Sequence, residues 1–285
     1  MGMIKQLKGK ECVREISLEE SKRLELDILL DVAEFCEKKQ LKYFLTYGTL
    51  IGALRHKGFI PWDDDVDIQM PRSDYNKMIE LFNAEKGEAH RYKLITPYNK
   101  NAKHAIVKVI DTKTVKVEEG FTYKKGKYLG VDVDIFPIDG TPTCEEEYNK
   151  WYKKLQKIYR RHLYSKMSFY GSLIQRCKML CHKLPGLFCS SNGWLNKARK
   201  LHEKYPYEAS ACVGSIACLY NGKGNRVAKE HYEGFVEVEF EGYSFKAPKG
   251  YHEILASLYG DYMKLPPEDK RVTHHKNNVF WKEEK

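Results

Sequence analysis

Asp63, Asp64, Asp65 and Asp67 follow a small-residue stretch, Gly48-Thr49-Leu50-Ile51-Gly52-Ala53-Leu54-Arg55-His56, by way of Gly58, Phe59, Ile60, Pro61 and Trp62. If Asp65-Val66-Asp67-Ile68 forms a β-strand, side chains alternate, so Asp63, Asp65 and Asp67 share one face while Val66 and Ile68 enter a core. Carboxylates gathered on one face repel. A hard divalent cation, Mg²⁺ or alternatively Mn²⁺, held by one or two carboxylates together with substrate phosphates, resolves that repulsion. The chemistry implied is metal-assisted phosphoryl transfer. A freely solvated acidic loop fits less well, because Val66, Ile68 and Met70 flank the acids. A calcium loop fails on spacing: counting from Asp63, Ile68 stands where the turn glycine belongs and Asp74 where the bidentate glutamate belongs.

A second segment repeats the pattern. In Tyr128-Leu129-Gly130-Val131-Asp132-Val133-Asp134-Ile135-Phe136-Pro137, Val131, Val133 and Ile135 fall on one face and Asp132 and Asp134 on the other. The pair would either decorate an exposed sheet face or complete a site with the first acidic strand. In a shared site a third carboxylate, Asp134 or Asp132, would hold metal or take the proton of an attacking hydroxyl.

These residues carry a resemblance. Tyr47 to His56 followed by Gly58-Phe59-Ile60-Pro61-Trp62-Asp63-Asp64-Asp65-Val66-Asp67-Ile68 resembles the signature of the LicD family of phosphocholine transferases, which also includes the fukutin-related transferases. Asp134-Ile135-Phe136-Pro137-Ile138-Asp139-Gly140 resembles its second motif. Tyr259-Gly260-Asp261-Tyr262-Met263, Pro266-Pro267 and Arg271 to His274 resemble its C-terminal one. The similarity spans residues 20 to 275 and is weakest from 145 to 225. It implies a nucleotidyltransferase fold, in which a Gly-Ser or Gly-Gly turn, a helix and an Asp-x-Asp strand form the centre; here Thr49 stands for the usual Ser or Gly. It also implies transfer of phosphocholine, or a similar phospho-alcohol, from a CDP-linked donor such as CDP-choline to a hydroxyl of a cell-surface glycan precursor: teichoic acid, lipopolysaccharide or capsule. Asp65, Asp67 and Asp134 are then the expected catalytic set and, with Asp63, the expected metal ligands. Gly48 and Thr49 are expected to touch phosphate through backbone N–H and the Thr hydroxyl, and Arg55 or Lys108 to stabilise phosphoryl oxygens. A quaternary ammonium group would want an aromatic cage, for which Trp62 is a candidate; His104, His274 and His275 are secondary. Other readings are nucleotidyl transfer to a small molecule, ribitol or glycerol phosphate transfer, and a catalytically inert scaffold for membrane glycan assembly.

The elements that must position these groups read as α+β, a mixed sheet with helices on it. A helix from Ser17 to Lys39 opens with a capping box, Ser17 and Glu20. Strand Tyr43 to Tyr47 leads into a short helix after Gly48, whose N-terminus suits phosphate, and Gly58 and Pro61 end it. A helix from Ser73 to Asn83 and strands at Tyr92–Ile95, Ala105–Asp111, Thr114–Val117 and Leu129–Phe136 follow. Residues 144–204 read as helical, broken near Gly171, Pro185-Gly186 and Gly193. A hairpin around Glu241-Gly242 and a helix from Gly250 to Tyr259 come last. The organisation expected is a catalytic core at 1–144, a basic helical segment at 145–225, and a C-terminal hairpin and helix at 226–285 completing the core.

Charge is concentrated in the middle. Of the 49 Lys plus Arg in a chain of net charge +10, 14 lie between Tyr148 and Lys204 with one acid, Glu203, so this stretch carries +13 and the rest −3. Trp151, Tyr152, Tyr159, Tyr164, Phe169, Tyr170, Leu173, Ile174, Met179, Leu180, Leu184, Leu187 and Phe188 are interleaved. The mixture suits an interfacial helix on anionic lipid, a groove for a polyanionic, lipid-linked glycan, or a solvated basic face. No nucleic-acid motif accompanies it, so no nucleic-acid partner is expected. No long apolar run and no secretory h-region is present, and Gln6 breaks a myristoylation pattern. Eight cysteines lack Cys-x-x-Cys spacing, which fits reduced thiols, although a zinc site from Cys177, Cys181, His182 and Cys189 is conceivable. A cytoplasmic protein, peripheral on the inner face of the membrane, is the resulting expectation.

Overall fold

The computed structural model describes residues 12–99, 104–117, 129–167, 172–184, 189–217, 226–273 and 278–283. Strand β1 (Cys12–Glu15) leads into helix α1 (Leu18–Lys39). Ser17 caps α1 as its spacing predicts, its Oγ accepting the Glu20 N–H at 3.2 Å. The Glu20 carboxylate, however, accepts from Arg14 and Trp281 rather than closing the capping box. The buried face of α1, Leu24, Ile28, Leu29, Val32, Phe35 and Cys36, belongs to the same core as Ile68, Met70, Val133 and Ile135.

The chain continues through β2 (Phe44–Leu45), α2 (Tyr47–His56), β3 (Asp67–Pro71), α3 (Arg72–Lys86), β4 (Tyr92–Ile95), β5 (Val107–Asp111), β6 (Thr114–Val117) and β7 (Asp132–Thr141). Helices α4 (Glu145–Lys166), α5 (Leu173–Lys183) and α6 (Ser191–His202) form the basic segment. Strands β8 (Cys212–Gly214), β9 (Val227–Ala228), β10 (Phe235–Phe240) and β11 (Tyr243–Pro248), helix α7 (Tyr251–Tyr259) and β12 (Asn278–Lys282) complete the order. The α+β architecture matches expectation. The main mixed sheet runs β2-β3-β7-β5-β4, with β8 on β7 and β9 on β8. Among the described residues only β3 and β7 pair in parallel, which brings the acidic starts of two strands to the same end of the sheet.

Several boundaries differ from the sequence reading, each for a local reason. The acidic strand starts at Asp67; Asp63 to Val66 are loop, so Asp63, Asp65 and Asp67 do not share a strand face. After Thr46 N–H reaches the Asp67 carbonyl (3.1 Å), the chain turns into α2, so on that side the ladder ends at Asp67, while on the other side the Val66 carbonyl still accepts the Asp134 N–H (2.9 Å). Strand β6 leaves the main sheet and pairs with β12, which pairs in turn with β1. Neither terminal strand carries an alternation strong enough to announce itself. Strand β7 runs past Pro137: β5 pairs with residues 132–135 and β8 with 139–141, so the missing proline N–H falls between the two ladders.

The basic segment is tied to the sheet by a buried polar chain. Arg72 makes a bidentate pair with Asp139 on β7 (2.7 and 2.7 Å), His202 Nδ1 lies 3.1 Å from Asp139, and His202 Nε2 meets Tyr159 Oη at 2.8 Å. Trp151 Nε1 donates to the Leu201 carbonyl at 3.1 Å, locking α4 on α6. Among the described residues no helix is long and apolar enough to cross a membrane. Cys36, Cys144, Cys177, Cys181, Cys189 and Cys212 are free thiols. The readings that rest on Phe169, Tyr170, Gly171, Pro185, Gly186, Leu187, Phe188, Cys218, His274, His275 and the first residues lie outside the described residues.

Candidate active site

Three strands place three charged side chains in one row. Asp67 on β3 is the parallel partner of Asp134 on β7, and Asp134 is the antiparallel partner of Lys108 on β5. Neighbouring strands lie about 4.8 Å apart and partners share a face, so both carboxylates point to the same side. Lys108 Nζ donates to Asp134 Oδ1 (2.5 Å) and to Asp132 Oδ2, and Lys116 Nζ donates to Asp132 Oδ1 (2.6 Å). Asp132 is therefore enclosed by two ammonium groups and buried. Asp134 shares only one of them, and its side chain keeps 20% exposure beside Asp67.

The loop above this row is built to gather more acid. Asp63, Asp64 and Asp65 each offer an oxygen within 4.8 Å of the others. Lys22 on α1 donates to the carbonyls of Ile60 and Pro61 (3.2 and 3.1 Å), pinning the loop entry. The β10–β11 turn props it from the other side: Glu241 Oε1 accepts the Phe59 N–H at 2.9 Å, and Glu241 and Gly242 both adopt positive φ in a two-residue turn. Gly48 leaves room for the acid here, since a Cβ on it would sit 2.3 Å from Asp63 Oδ2 and displace that carboxylate. Tyr47 before it is held at φ 47°, a strained conformation for an aromatic residue. Thr49, expected to offer its hydroxyl to phosphate, is buried, and its Oγ1 accepts the Asp67 backbone N–H at 2.9 Å. Thr49→Val should leave that N–H unpaired and cost about 1–3 kcal/mol; urea denaturation measures it, and Thr49→Ser should recover most of the loss.

The electrostatics follow from crowding. Burial, then the charges of Asp65, Asp134 and Asp63, hold the Asp67 carboxyl well above the usual range against the pull of Lys108. Asp63 is pushed up to about 7 by burial and by Asp65 and Asp64, with Lys22 opposing. Asp134 is raised to about 6, burial leading and Lys108 opposing. Burial also lifts Asp132, but Lys108 and Lys116 outweigh it and keep that carboxyl below the ordinary range. Asp63, Asp64 and Asp65 make an all-oxygen donor set of the kind that Mg²⁺ or Mn²⁺ takes, and among the described residues the predicted ligands Asp67 and Asp134 lie outside that group. The residues present therefore fit a hard divalent cation.

The remaining residues expected at the site are distributed around this centre. Arg55 donates to the carbonyls of Tyr262 (2.9 Å) and Lys264 (3.4 Å), fastening the C-terminal motif to α2. Burial and nearby Arg271 lower its pKa. Arg271 stands 5.8 Å over the Trp62 ring, whose edge also meets His56, so Trp62 already carries a cation. A cavity of about 360 Å³ lined by Glu145, Tyr148, Cys212, Arg226, Val227 and Ala228 adjoins β8 and β9, at the other end of β7 from Asp134, and holds none of the predicted residues. Among the described residues, Cys177, Cys181 and Cys189 join no metal-binding group.

Sequence reasoning passed over Asp64, Lys116 and Glu25. Glu25 on α1 is 1% exposed, with Oε2 unpartnered, and is raised well above the usual range by burial and by Asp65, Asp132 and Asp64, while Lys116 lowers it. Its signal was legible: a carboxylate between Leu24 and Ile28, on the apolar face of an amphipathic helix, is a residue kept there against its solvation cost.

The sequence is similar to those of known proteins. The family model described as LicD/FKTN/FKRP, nucleotidyltransferase domain, matches residues 40–175, which contain both acidic segments. The chain is 32% identical over 270 residues to the lipopolysaccharide cholinephosphotransferase LicD of Haemophilus influenzae, covering 94% of this chain and 99% of that protein. Shorter matches, 41% identical over 63 residues and 40% over 65, link it to uncharacterized proteins of Rickettsia typhi and Rickettsia prowazekii. These cover 22% of this chain and 20% and 24% of the relatives.

Proposed function

This chain belongs to the LicD family, and from that premise we propose that it transfers phosphocholine from CDP-choline to a hydroxyl of a lipopolysaccharide-type glycan. The observation that carries the reading is the in-register pair Asp67 and Asp134 beneath the Asp63–Asp65 loop.

In this mechanism Asp65 and Asp67 would hold a divalent cation, with Asp63 and Asp134 completing the carboxylate set. Mg²⁺ or Mn²⁺ supplies neutralisation of the charge that builds on phosphoryl oxygens and on departing CMP. Asp134 accepts the proton of the acceptor hydroxyl as it attacks phosphorus in line, the P–O bond to CMP breaking as the new P–O bond forms. Lys108, shared between Asp132 and Asp134, orients that carboxylate. Asp132 is the less suitable base, because both of its oxygens are taken by ammonium groups. Gly48 lets the α2 N-terminus lie against Asp63 and, with its N–H groups, face donor phosphate.

The test is CMP release. Protein, Mg²⁺, CDP-choline and lipid-linked glycan acceptor are expected to yield CMP and choline-labelled glycan in equal amounts, and the yield should vanish with EDTA. CMP formed only from CDP-ribitol or CDP-glycerol would reassign the transferred group. Pyrophosphate formed from a nucleoside triphosphate would favour nucleotidyl transfer. No turnover of any donor would return the chain to the scaffold reading.

A further inference from the structure

Helix α5 presents an apolar face that the other described residues leave exposed. Leu173 and Ile174 are 80% and 70% exposed, and Leu180 and Leu184, the latter just past the helix end, are each 49% exposed. Exposed Cys177 and Cys181 lie between them. At 100° per residue, Leu173, Ile174, Cys177, Leu180, Cys181 and Leu184 fall within one third of the helix circumference. Met179, on the opposite side, is buried. The helix thus rests on the protein by one face and shows a continuous apolar stripe on the other. An isolated exposed leucine needs no explanation, but a contiguous stripe of this kind does.

The surroundings point to what covers it. Arg176 is exposed near the edge of the stripe, and Lys183 reaches back to the Met167 carbonyl. On α4, Lys150, Lys153, Lys154, Lys157 and Arg160 form an exposed row at helical spacing. Of these, only Lys150 is paired with a carboxylate among the described residues. On α6, Lys197, Arg199 and Lys200 are exposed. Among the described residues, these exposed cations, within a stretch that carries +13 against −3 elsewhere, are therefore surface charge and not buried pairs. A second copy of the chain would bring a like charge to this unit. An anionic bilayer brings the opposite charge and an apolar layer to receive the leucines.

We propose that α5 is an interfacial helix that docks this protein on an anionic membrane surface, with its apolar stripe in the headgroup region and the basic helices α4 and α6 supplying attraction. Dual use of apolar area and charge is what reversible surface binding requires, since either alone gives marginal affinity. This inference does not depend on the transferred group.

Co-sedimentation of the full chain with vesicles tests it. Binding to vesicles containing phosphatidylglycerol should exceed binding to pure phosphatidylcholine vesicles by roughly tenfold or more, and should weaken between low and high salt. Leu173→Gln with Ile174→Gln should reduce binding roughly tenfold while leaving the melting temperature unchanged, because both side chains are already in water. Lys153→Gln with Lys157→Gln should reduce only the anionic-vesicle component. Salt-insensitive binding that is equal on both vesicles overturns the electrostatic half. Wild-type binding by the Leu173/Ile174 variant overturns the docking face. A dimer that this variant dissolves, without any vesicle binding, assigns the stripe to a second copy and overturns the proposal.

Discussion

Asp67→Asn should lower phosphocholine transfer by about a thousandfold or more while raising the melting temperature of the metal-free protein. The two effects have one cause. Asp67 is buried beside Asp134 and close to Asp63 and Asp65, with Lys108 the nearest opposing charge, so its ionised form is held at the expense of stability. The amide keeps the shape and removes the charge. In the proposed mechanism that charge holds the cation, and loss of a group that stabilises developing phosphoryl charge costs on the order of 10³-fold. The pH dependence separates this from ordinary repair of a surface defect. A carboxyl with a raised folded pKa contributes stability that is fully present below its unfolded value, near 4, and lost as pH rises. The stabilisation conferred by Asp67→Asn should therefore be small at pH 5 and larger at pH 8. Mg²⁺ or Mn²⁺ should stabilise wild type at pH 8 more than it stabilises the variant. Differential scanning calorimetry at both pH values, paired with CMP release, reads all of this. A variant that is destabilised at pH 8, or that retains transfer, contradicts the role given to Asp67.

Arg72→Met should be the most destabilising single change, costing about 3–5 kcal/mol, because it leaves Asp139 buried without its bidentate partner. Asp139→Asn should cost less, since the Arg72 side chain is 31% exposed and can turn toward water. The neighbouring histidine adds a signature. In wild type, burial lowers the pKa of His202, Asp139 raises it and Arg72 lowers it. Removing Arg72 lets Asp139 raise His202, and a raised histidine stabilises at low pH and loses that contribution as pH rises. The deficit of Arg72→Met should thus be smaller at pH 5.5 than at pH 8. Guanidinium denaturation at both values measures it. Because His202 and Tyr159 seat α6 and α4 on this chain of contacts, protease sensitivity within 145–204 should rise together with the loss.

The pattern of these expectations shows where sequence reading was strong. Alternation around Asp134 is a local property, so the strand, its buried valines and the shared face of Asp132 and Asp134 were all visible in one segment. The same holds for the Ser17 cap and for the hairpin at Glu241-Gly242. The loop at Asp63–Val66 was misread as strand because alternation registers side-chain type, whereas a strand also needs continuous pairing, and the turn into α2 ends the β2 ladder at Asp67. Thr49 was assigned outward for a similar reason: a hydroxyl beside a glycine turn can face phosphate or backbone, and only the packing of α2 on β3 turns it to Asp67.

Chain order, composition and local periodicity were enough for an α+β protein with two acidic segments, a basic helical middle and the motifs of its family. They operate at short range, where residue type and spacing dictate the outcome. Which carboxylates meet is a long-range matter. Strand register pairs Asp67 with Asp134 across 67 positions of chain, and Lys116 arrives on another sheet to donate directly to Asp132. The exposed stripe on α5 is likewise a tertiary result: the interleaved basic and apolar residues suited a lipid surface, a polyanion groove or a solvated face, and only the packing that buries Met179 leaves Leu173, Ile174, Leu180 and Leu184 in water.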